Sequence, residues 1–203
     1  MKPFNDQTPG SNDQSNPTVV AENFLKEAME YMKIGNFKEV RFSVSQALFN
    51  LNNHAGKEIL KALPAEINGL QPMDSYDDYI NTSGMDGWFN VGRYYKKDKE
   101  YKNYLSIIIY VSPSMTSNVE ARINSPSSLD PKSEKLLKIP PTLKKGLGRF
   151  YNDSQYPSSS LEIPFNDFYI YMSGFGSECN EASLLSHASK IDFEKLRKAV
   201  GEQ

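Results

Sequence analysis

A helix–glycine–helix pattern around Gly35 is the feature that most constrains how this chain folds. Before Gly35, apolar residues recur with the period of one helix face: Val20, Phe24, Ala28 and Met32, with Leu25 and Met29 beside them. After it, a second stripe follows: Val40, Val44, Leu48 and Leu51, continued by Ala55, Ile59 and Leu63. Asn16-Pro17 is a typical helix start, and Asn36 can cap the second helix. The pattern predicts a helical hairpin over residues 16–63, with both stripes facing inward.

A single hairpin of this kind cannot bury its apolar faces alone. It must pack on a sheet of its own chain, on a second copy or on a partner protein. Gly56 lies inside the second helical pattern and predicts a kink or a split there, because glycine is a poor helix former.

Residues 1–15 are polar and rich in Asn, Gln, Ser, Pro and Gly, which predicts a disordered tether. The first residues lack the apolar core of a secretory signal. We therefore expect a periplasmic or membrane-tethered protein if an upstream signal or lipid-anchor cysteine was removed, and a cytoplasmic protein otherwise. The longest strongly apolar stretch, residues 105–111, has only strand length, so no membrane span is expected.

Charge and cysteine content narrow the function classes. The net charge is −2 over 203 residues, and a dedicated nucleic-acid binder would carry a basic surplus instead. The local basic run from Lys132 to Arg149 is interpreted as a solvated loop and sheet edge. Cys179 is the only cysteine, so an internal disulfide is impossible.

From residue 64 to residue 203 the pattern changes to short segments separated by turns. Strands are predicted at residues 67–73, 88–96, 101–111, 136–139, 146–152, 161–165 and 168–173, with a tight turn at Asn166-Asp167. Residues 74–86 are predicted as loop and residues 116–124 as a short helix. One C-terminal helix, capped by Asn180 or Ser177, is predicted to face inward with Ala182, Leu185, Ala188, Leu196 and Val200. The order predicts an α+β fold: a helical hairpin, a mostly antiparallel sheet of six to seven strands, and a C-terminal helix packed on the sheet.

No motif in the sequence names a reaction. His54 and His187 lack a His or Cys partner at metal-ligand spacing, and both are interpreted as structural or surface residues. Cys179, just before a helix start, is interpreted as a small packed residue, with a nucleophile as the alternative. Four loop acids fail the EF-hand spacing, and solvated side chains are favoured over a calcium site: Asp74, Asp77, Asp78 and Asp86. We expect no catalytic residue, no cofactor and no metal.

Two groups of residues are candidates for binding a partner. Aromatic residues concentrate on two adjacent predicted strands: Trp88, Phe89, Tyr94, Tyr95, Tyr101, Tyr104 and Tyr110. Cross-strand packing in the core is the favoured explanation, and a partly exposed binding surface is the alternative. On the hairpin, four residues alternate with the inward stripes and are predicted to face outward: Tyr31, Lys38, Arg41 and Ser45. These four, with Trp88 and Tyr94, are the candidate partner-binding residues.

Three segments in this order resemble a set of uncharacterised exported bacterial proteins. They are the hairpin segment 31–41 with Gln46-Ala47-Leu48, the segment 60–71 with its Leu63-Pro64, and the ending 188–196 with its Ala, Ile-Asp and Leu. The chain departs from them at Leu70, where Trp is usual, and at Pro140-Pro141, where a Gly is more usual. The hairpin is TPR-like, and residues 64–203 resemble the PsbP/Mog1 α+β fold. The resemblance implies binding in the cell envelope and no catalysis.

The leading hypothesis is a non-enzymatic protein-interaction or accessory module of the bacterial cell envelope, with an unknown protein partner and no nucleic acid. The alternative is a carrier of a lipid or other apolar small ligand, which needs an open cavity between sheet and helix. A hydrolase with dispersed catalytic residues is a third, less favoured reading. A lipid anchor in the native form is also left open.

Overall fold

The computed structural model describes residues 16–73, 79–82, 88–97, 103–140, 144–151 and 158–201, and its backbone forms the predicted α+β arrangement. Helices come first, then an antiparallel sheet, then C-terminal helices. Two compact units divide between Leu51 and Asn52, whereas the predicted domains divide at residue 63. The predicted tether, residues 1–15, lies outside the described residues.

The first helix, α1 (Pro17–Lys33), begins and ends as its sequence predicts. The Asn16 side chain accepts a hydrogen bond from the Thr18 amide at 3.1 Å. Pro17, at the first helical position, has no amide hydrogen that would need an acceptor. Gly35 adopts a φ of 72°, and the Asn36 amide then donates to the Tyr31 carbonyl at 3.0 Å. A left-handed residue of this kind reverses the chain, so α2 begins at Phe37 after a three-residue connection.

The second helix, α2 (Phe37–Ala62), is continuous, so a split of the helix at Gly56 is wrong. Gly56 is buried, and a Cβ added there would lie 2.8 Å from Cγ2 of Ile80. The glycine therefore allows a strand side chain to approach the helix closely. The helical hydrogen bonds continue through it because glycine only weakens a helix.

The predicted inward stripes of the hairpin are only partly buried, so the prediction that both stripes face inward is partly wrong. The fully buried side chains are small: Ala21 and Ala28 on α1, Ser43 and Ala47 on α2. Several larger residues of the predicted stripes are exposed: Leu25, Met29, Met32, Val44 and Leu51. The stripes are wider than the face that the unit of residues 16–51 buries.

Eight strands, all paired antiparallel, form one sheet in the described part of the chain. They are β1 (Gln71–Pro72), β2 (Tyr79–Thr82), β3 (Phe89–Lys96), β4 (Tyr104–Val111), β5 (Glu134–Ile139), β6 (Lys144–Tyr151), β7 (Ser158–Phe165) and β8 (Phe168–Phe175). Seven follow the order β1-β3-β4-β8-β7-β6-β5, and β2 pairs with β3 beside this path. The predicted loop 74–86 thus contains a strand. The strand predicted at 67–73 is only two residues long, after a tight turn closed by an Ile67–Leu70 bridge.

One sheet face carries the main hydrophobic core. β4 lies between β3 and β8, which confirms it as a central strand, and its Leu105, Ile107 and Ile109 are fully buried. This face is covered by side chains from the end of α2 and from the C-terminal helices: Ile59, Ala62, Leu63, Leu184, Ala188, Phe193 and Leu196. The core therefore belongs to the unit of residues 52–203.

The other sheet face packs against α3 (Pro113–Asn124), which confirms the predicted short helix. Val119 and Ile123 of α3 form a second apolar cluster with Leu147 of β6 and Tyr169 of β8. This cluster is smaller, and tyrosines and paired charges fill the rest of the face. α3 thus lies over only part of the sheet.

The predicted C-terminal helix is two helices, α4 (Glu181–Ala188) and α5 (Phe193–Ala199). Asn180, not Ser177, caps α4 by accepting the Ser183 amide hydrogen bond at 2.8 Å. Asp192 caps α5 by accepting from the Lys195 amide at 2.9 Å, which starts a new helix. Within α4 the buried residues are Leu184, His187 and Ala188, so the inward position predicted for Ala182, which is exposed, is wrong.

Candidate interaction surfaces

Exposed apolar side chains concentrate on the helical unit. Among the described residues, ten of the twelve large apolar side chains with substantial exposure lie between residues 19 and 51. They are Val19, Leu25, Met29, Met32, Ile34, Phe37, Phe42, Val44, Phe49 and Leu51. Single exposed apolar residues are ordinary on protein surfaces, but several exposed apolar residues side by side on one surface are typical of an interaction site.

Six of these residues form one surface, which we call the apolar flank: Leu25, Met29, Met32, Phe37, Val44 and Leu51. On α1 they are spaced by four and three residues, and on α2 by seven, so each set forms a stripe along its helix. Looking along a helix from its first residue, each residue is rotated about 100° clockwise from the residue before it. On each helix the exposed apolar stripe is displaced from the buried residues by roughly a fifth of a turn, clockwise as seen from the first residue of the helix.

The short connection makes α2 run antiparallel to α1. Reversing the direction of a helix reverses its sense of rotation as seen by a fixed observer. Two helices joined by so short a connection pack side by side, so we infer that their buried sides face each other. Both stripes then lie on the same flank of the hairpin. Phe42 and Phe49 lie on the other side of the buried residues of α2, outside the apolar flank.

The predicted outward residues of the hairpin have different environments. Lys38 and Arg41 are exposed, whereas Tyr31 and Ser45 are half-buried. Lys38 and Arg41 lie on α2 between the flank and Phe42. The sequence prediction misses the apolar flank, because it places five of the six flank residues on the inward stripes and leaves Phe37 out of them. The seven-residue spacing of Phe37, Val44 and Leu51, beside a narrow seam of Ala and Ser, is the signal that could have shown it.

The predicted aromatic cluster is divided between the two sheet faces by strand alternation. Phe89 and Tyr95 are buried in the main core, and the Tyr95 hydroxyl donates to the Pro64 carbonyl at 2.8 Å. Tyr94 is half-buried on the opposite face, and Trp88, also half-buried, directly precedes β3. Tyr101 lies outside the described residues.

On that opposite face the aromatic rings pack against one another. Tyr104 stacks on Phe175 with ring centroids 4.3 Å apart, and the Tyr94 ring lies 6.4 Å from Tyr104. Tyr110 stacks on Tyr169 at 4.8 Å. Burial raises the pKa of the Tyr104, Tyr110 and Tyr169 hydroxyls above their usual value. These ring contacts are cross-strand packing, and a role of Trp88 and Tyr94 in binding a partner stays a prediction.

Two arginines and two glutamates form a partly buried ionic cluster beside the aromatic rings. Glu134 of β5 pairs with Arg122 of α3 and, at 3.2 Å, with Arg149 of β6. Glu162 of β7 lies 2.9 Å from Arg149. Burial raises the pKa of the Glu162 carboxyl, and the Arg122 guanidinium opposes that rise. Since each carboxylate has a guanidinium partner, the cluster fastens α3 to three strands.

His187 of α4 is buried, and both of its ring nitrogens have a polar neighbour. Nε2 lies 2.8 Å from Oε2 of Glu178, and Nδ1 lies 3.0 Å from Nδ2 of Asn68. With the Asn68 amide assigned as donor to Nδ1, Nε2 carries the proton that is donated to Glu178. Asn68 also donates to Oγ of Ser186 at 3.0 Å. These residues line an open groove of about 310 Å³, and the imidazole acts there as a structural clamp.

The remaining chemical candidates do not converge on a centre within the described residues. His54 is exposed and Cys179 is a half-buried free thiol. Nowhere in the described part of the chain do three His, Cys, Asp or Glu side chains come together in a way that could hold a metal ion. Asp74, Asp77, Asp78 and Asp86 lie outside the described residues.

Of the helices that the structure describes, none combines the length and the apolar character needed to cross a bilayer.

Comparison with known protein families, with curated proteins and with solved structures gave no match to this chain. The resemblance to exported bacterial proteins and to the PsbP/Mog1 fold therefore stays a prediction. The structure itself shows the α+β architecture and the exposure of the six residues of the apolar flank.

Proposed function

We propose that this chain is a non-enzymatic protein-interaction module of the bacterial cell envelope, and that it binds a partner protein through the apolar flank of its helical unit. The observation that carries the proposal is the exposure of the flank, which reaches 62% for Met29 and 61% for Phe37. Burying such side chains in an interface removes apolar surface from water, which contributes a favourable free energy of about 25 cal/mol per Å² of apolar surface buried.

The composition of the flank suits recognition of another apolar surface. Methionine and phenylalanine are enriched at the centres of protein interfaces, and methionine adapts its shape to irregular partners. The charges of α1 next to the flank are already paired: Lys26 with Glu22, and Lys33 with Glu30, both at 2.7 Å. The partner is therefore expected to present an apolar surface that matches the two stripes.

Two further points support the proposal. The aromatic rings on the sheet pack against one another, which leaves the helical unit as the larger exposed apolar surface of the described residues. The resemblance of the hairpin and of the Leu63-Pro64 segment to exported bacterial proteins supports the envelope setting. The alternative of an apolar-ligand carrier stays a prediction.

A capture experiment with two matched variants tests the proposal. The purified chain is immobilised and exposed to an envelope extract of its native host, and captured proteins are quantified by mass spectrometry. The flank variant carries Met29→Glu with Val44→Glu, and the control carries Phe42→Glu with Phe49→Glu on the other side of α2. All four residues are exposed, so both variants should keep the fold, as checked by circular dichroism.

We expect the flank variant to lose at least about tenfold in capture of the specific partner, because charges placed in an apolar interface must be desolvated. The control should retain capture. Charge reversal at Lys38 and Arg41, beside the flank, should weaken capture less. Equal capture by the wild-type chain and the folded flank variant would remove the flank from the account.

A further inference from the structure

We infer that the apolar flank is occupied by the same flank of a second copy of this chain, so that two hairpins form a four-helix bundle. This inference rests on the proposed function, because it names the protein that the flank binds. A two-fold axis would bring the surface of one copy onto the identical surface of the other.

The size of the flank suits such a dimer. Its six side chains are between 36% and 62% exposed, which corresponds to roughly 600 Å² of apolar surface per chain. Ile34 in the connection is 74% exposed and extends the same end of the hairpin. Standard stable interfaces bury about 600–1,000 Å² per partner, so the flank reaches the lower end of this range and Ile34 adds to it.

The spacing of the apolar residues favours helix-on-helix packing. Leu25, Met29 and Met32 follow the four-three alternation of a coiled-coil seam. Phe37, Val44 and Leu51 occupy one heptad position of α2, with the half-buried Val40 and the buried Ala47 between them. Two stripes with this period can interlock with the stripes of another helical pair.

The charges of α1 beside the flank allow two identical flanks to meet, because Lys26 is paired with Glu22 and Lys33 with Glu30 within the helix. α1 carries three carboxylates and two ammonium groups: Glu22, Glu27, Glu30, Lys26 and Lys33. The carboxylate that this pairing leaves over on α1, Glu27, lies on the side of the helix away from the flank, so the α1 part of the flank has no uncompensated charge beside it.

The experiment is to measure the mass of the full chain by sedimentation equilibrium from about 1 to 100 μM, a range that covers dimers of moderate affinity. The wild-type chain should approach twice its 23.0 kDa monomer mass within this range. The Met29→Glu/Val44→Glu variant should raise the dissociation constant at least about tenfold. The Phe42→Glu/Phe49→Glu control should associate like the wild-type chain.

Two results would overturn the inference, and they are distinguishable from failure of the proposed function. A wild-type chain that stays monomeric up to 100 μM rules out self-association of useful strength. If the flank variant nevertheless loses capture of another protein, the proposed function survives with a different partner. A dimer that the folded flank variant forms as readily as the wild-type chain assigns the contact to another surface.

Discussion

At the scale of single residues, the fold distinguishes side chains that the sequence treats alike. His54 and His187 both lie on helices and both lack a metal-ligand partner in sequence. His54 is exposed, whereas His187 is 2% exposed and bridges Glu178 and Asn68. A buried polar group without its partner costs far more than a surface one, so the two histidines should respond very differently to substitution.

We predict that His187→Ala lowers the free energy of unfolding by about 1–3 kcal/mol, because it leaves the Glu178 carboxylate without its 2.8 Å partner. The matched His54→Ala should change it by no more than about 0.5 kcal/mol. Urea unfolding followed by circular dichroism measures both. Similar values for the two variants would show that the clamp contributes nothing to stability.

At the scale of elements, the two faces of the sheet carry different kinds of side chain. The face of the main core is aliphatic, and the face below α3 combines stacked tyrosines with paired charges. Tyr110 of β4 and Tyr169 of β8 are direct neighbours across the strands. Burial favours the neutral hydroxyl, which couples the stability of this face to alkaline pH.

We predict that the free energy of unfolding falls as the pH rises above about 10, the pKa of tyrosine in an unfolded chain. The folded chain holds the Tyr169 proton more tightly than the unfolded chain, since its pKa is raised, so deprotonation favours unfolding. Tyr169→Phe should reduce this dependence, measured by urea unfolding at pH 9 and 11. Tyr151→Phe, at an exposed position, is the control. An unchanged dependence in Tyr169→Phe would exclude this coupling.

Local patterns in the sequence predict most of the elements correctly. The alternating run at residues 105–111 identifies β4, and Asn166, whose φ is 53°, makes the predicted turn between β7 and β8. Asparagine tolerates this conformation better than most residues, so the turn is visible locally. β2 was missed because its four residues, Tyr-Ile-Asn-Thr, lie among polar loop residues and are too few to show a period.

The candidate site was harder to predict, for two physical reasons. A helical period fixes which residues share a stripe, but not whether another part of the protein covers that stripe. The sequence therefore predicts inward positions for Met29 and Met32, which are exposed. The small seam of Ala28 and Ser43 lets only a narrow face be buried. The His187 clamp depends on Asn68, which lies 119 residues away in sequence, so no local pattern contains it.

At the scale of the whole molecule, the two units contribute different properties. Residues 52–203 contain a closed core on one sheet face and a second cluster under α3. The helical unit of residues 16–51 buries mainly alanine and serine side chains and leaves many of its larger apolar side chains exposed. The central claim of this account is that a protein surface covers those side chains when the molecule functions.

The methionines of the unmodified chain test that claim directly, because thioether oxidation follows exposure. Met29 and Met32 are 62% and 57% exposed on the flank, Met115 is 38% exposed on α3, and Met172 is buried. The chain is oxidised briefly with dilute peroxide, in dilute solution and in its complex or concentrated form, and each methionine is quantified by mass spectrometry. We predict that Met29 and Met32 react when the chain is dilute and become protected on association, while Met115 stays reactive and Met172 stays protected. Association that leaves Met29 and Met32 as reactive as before would contradict the account.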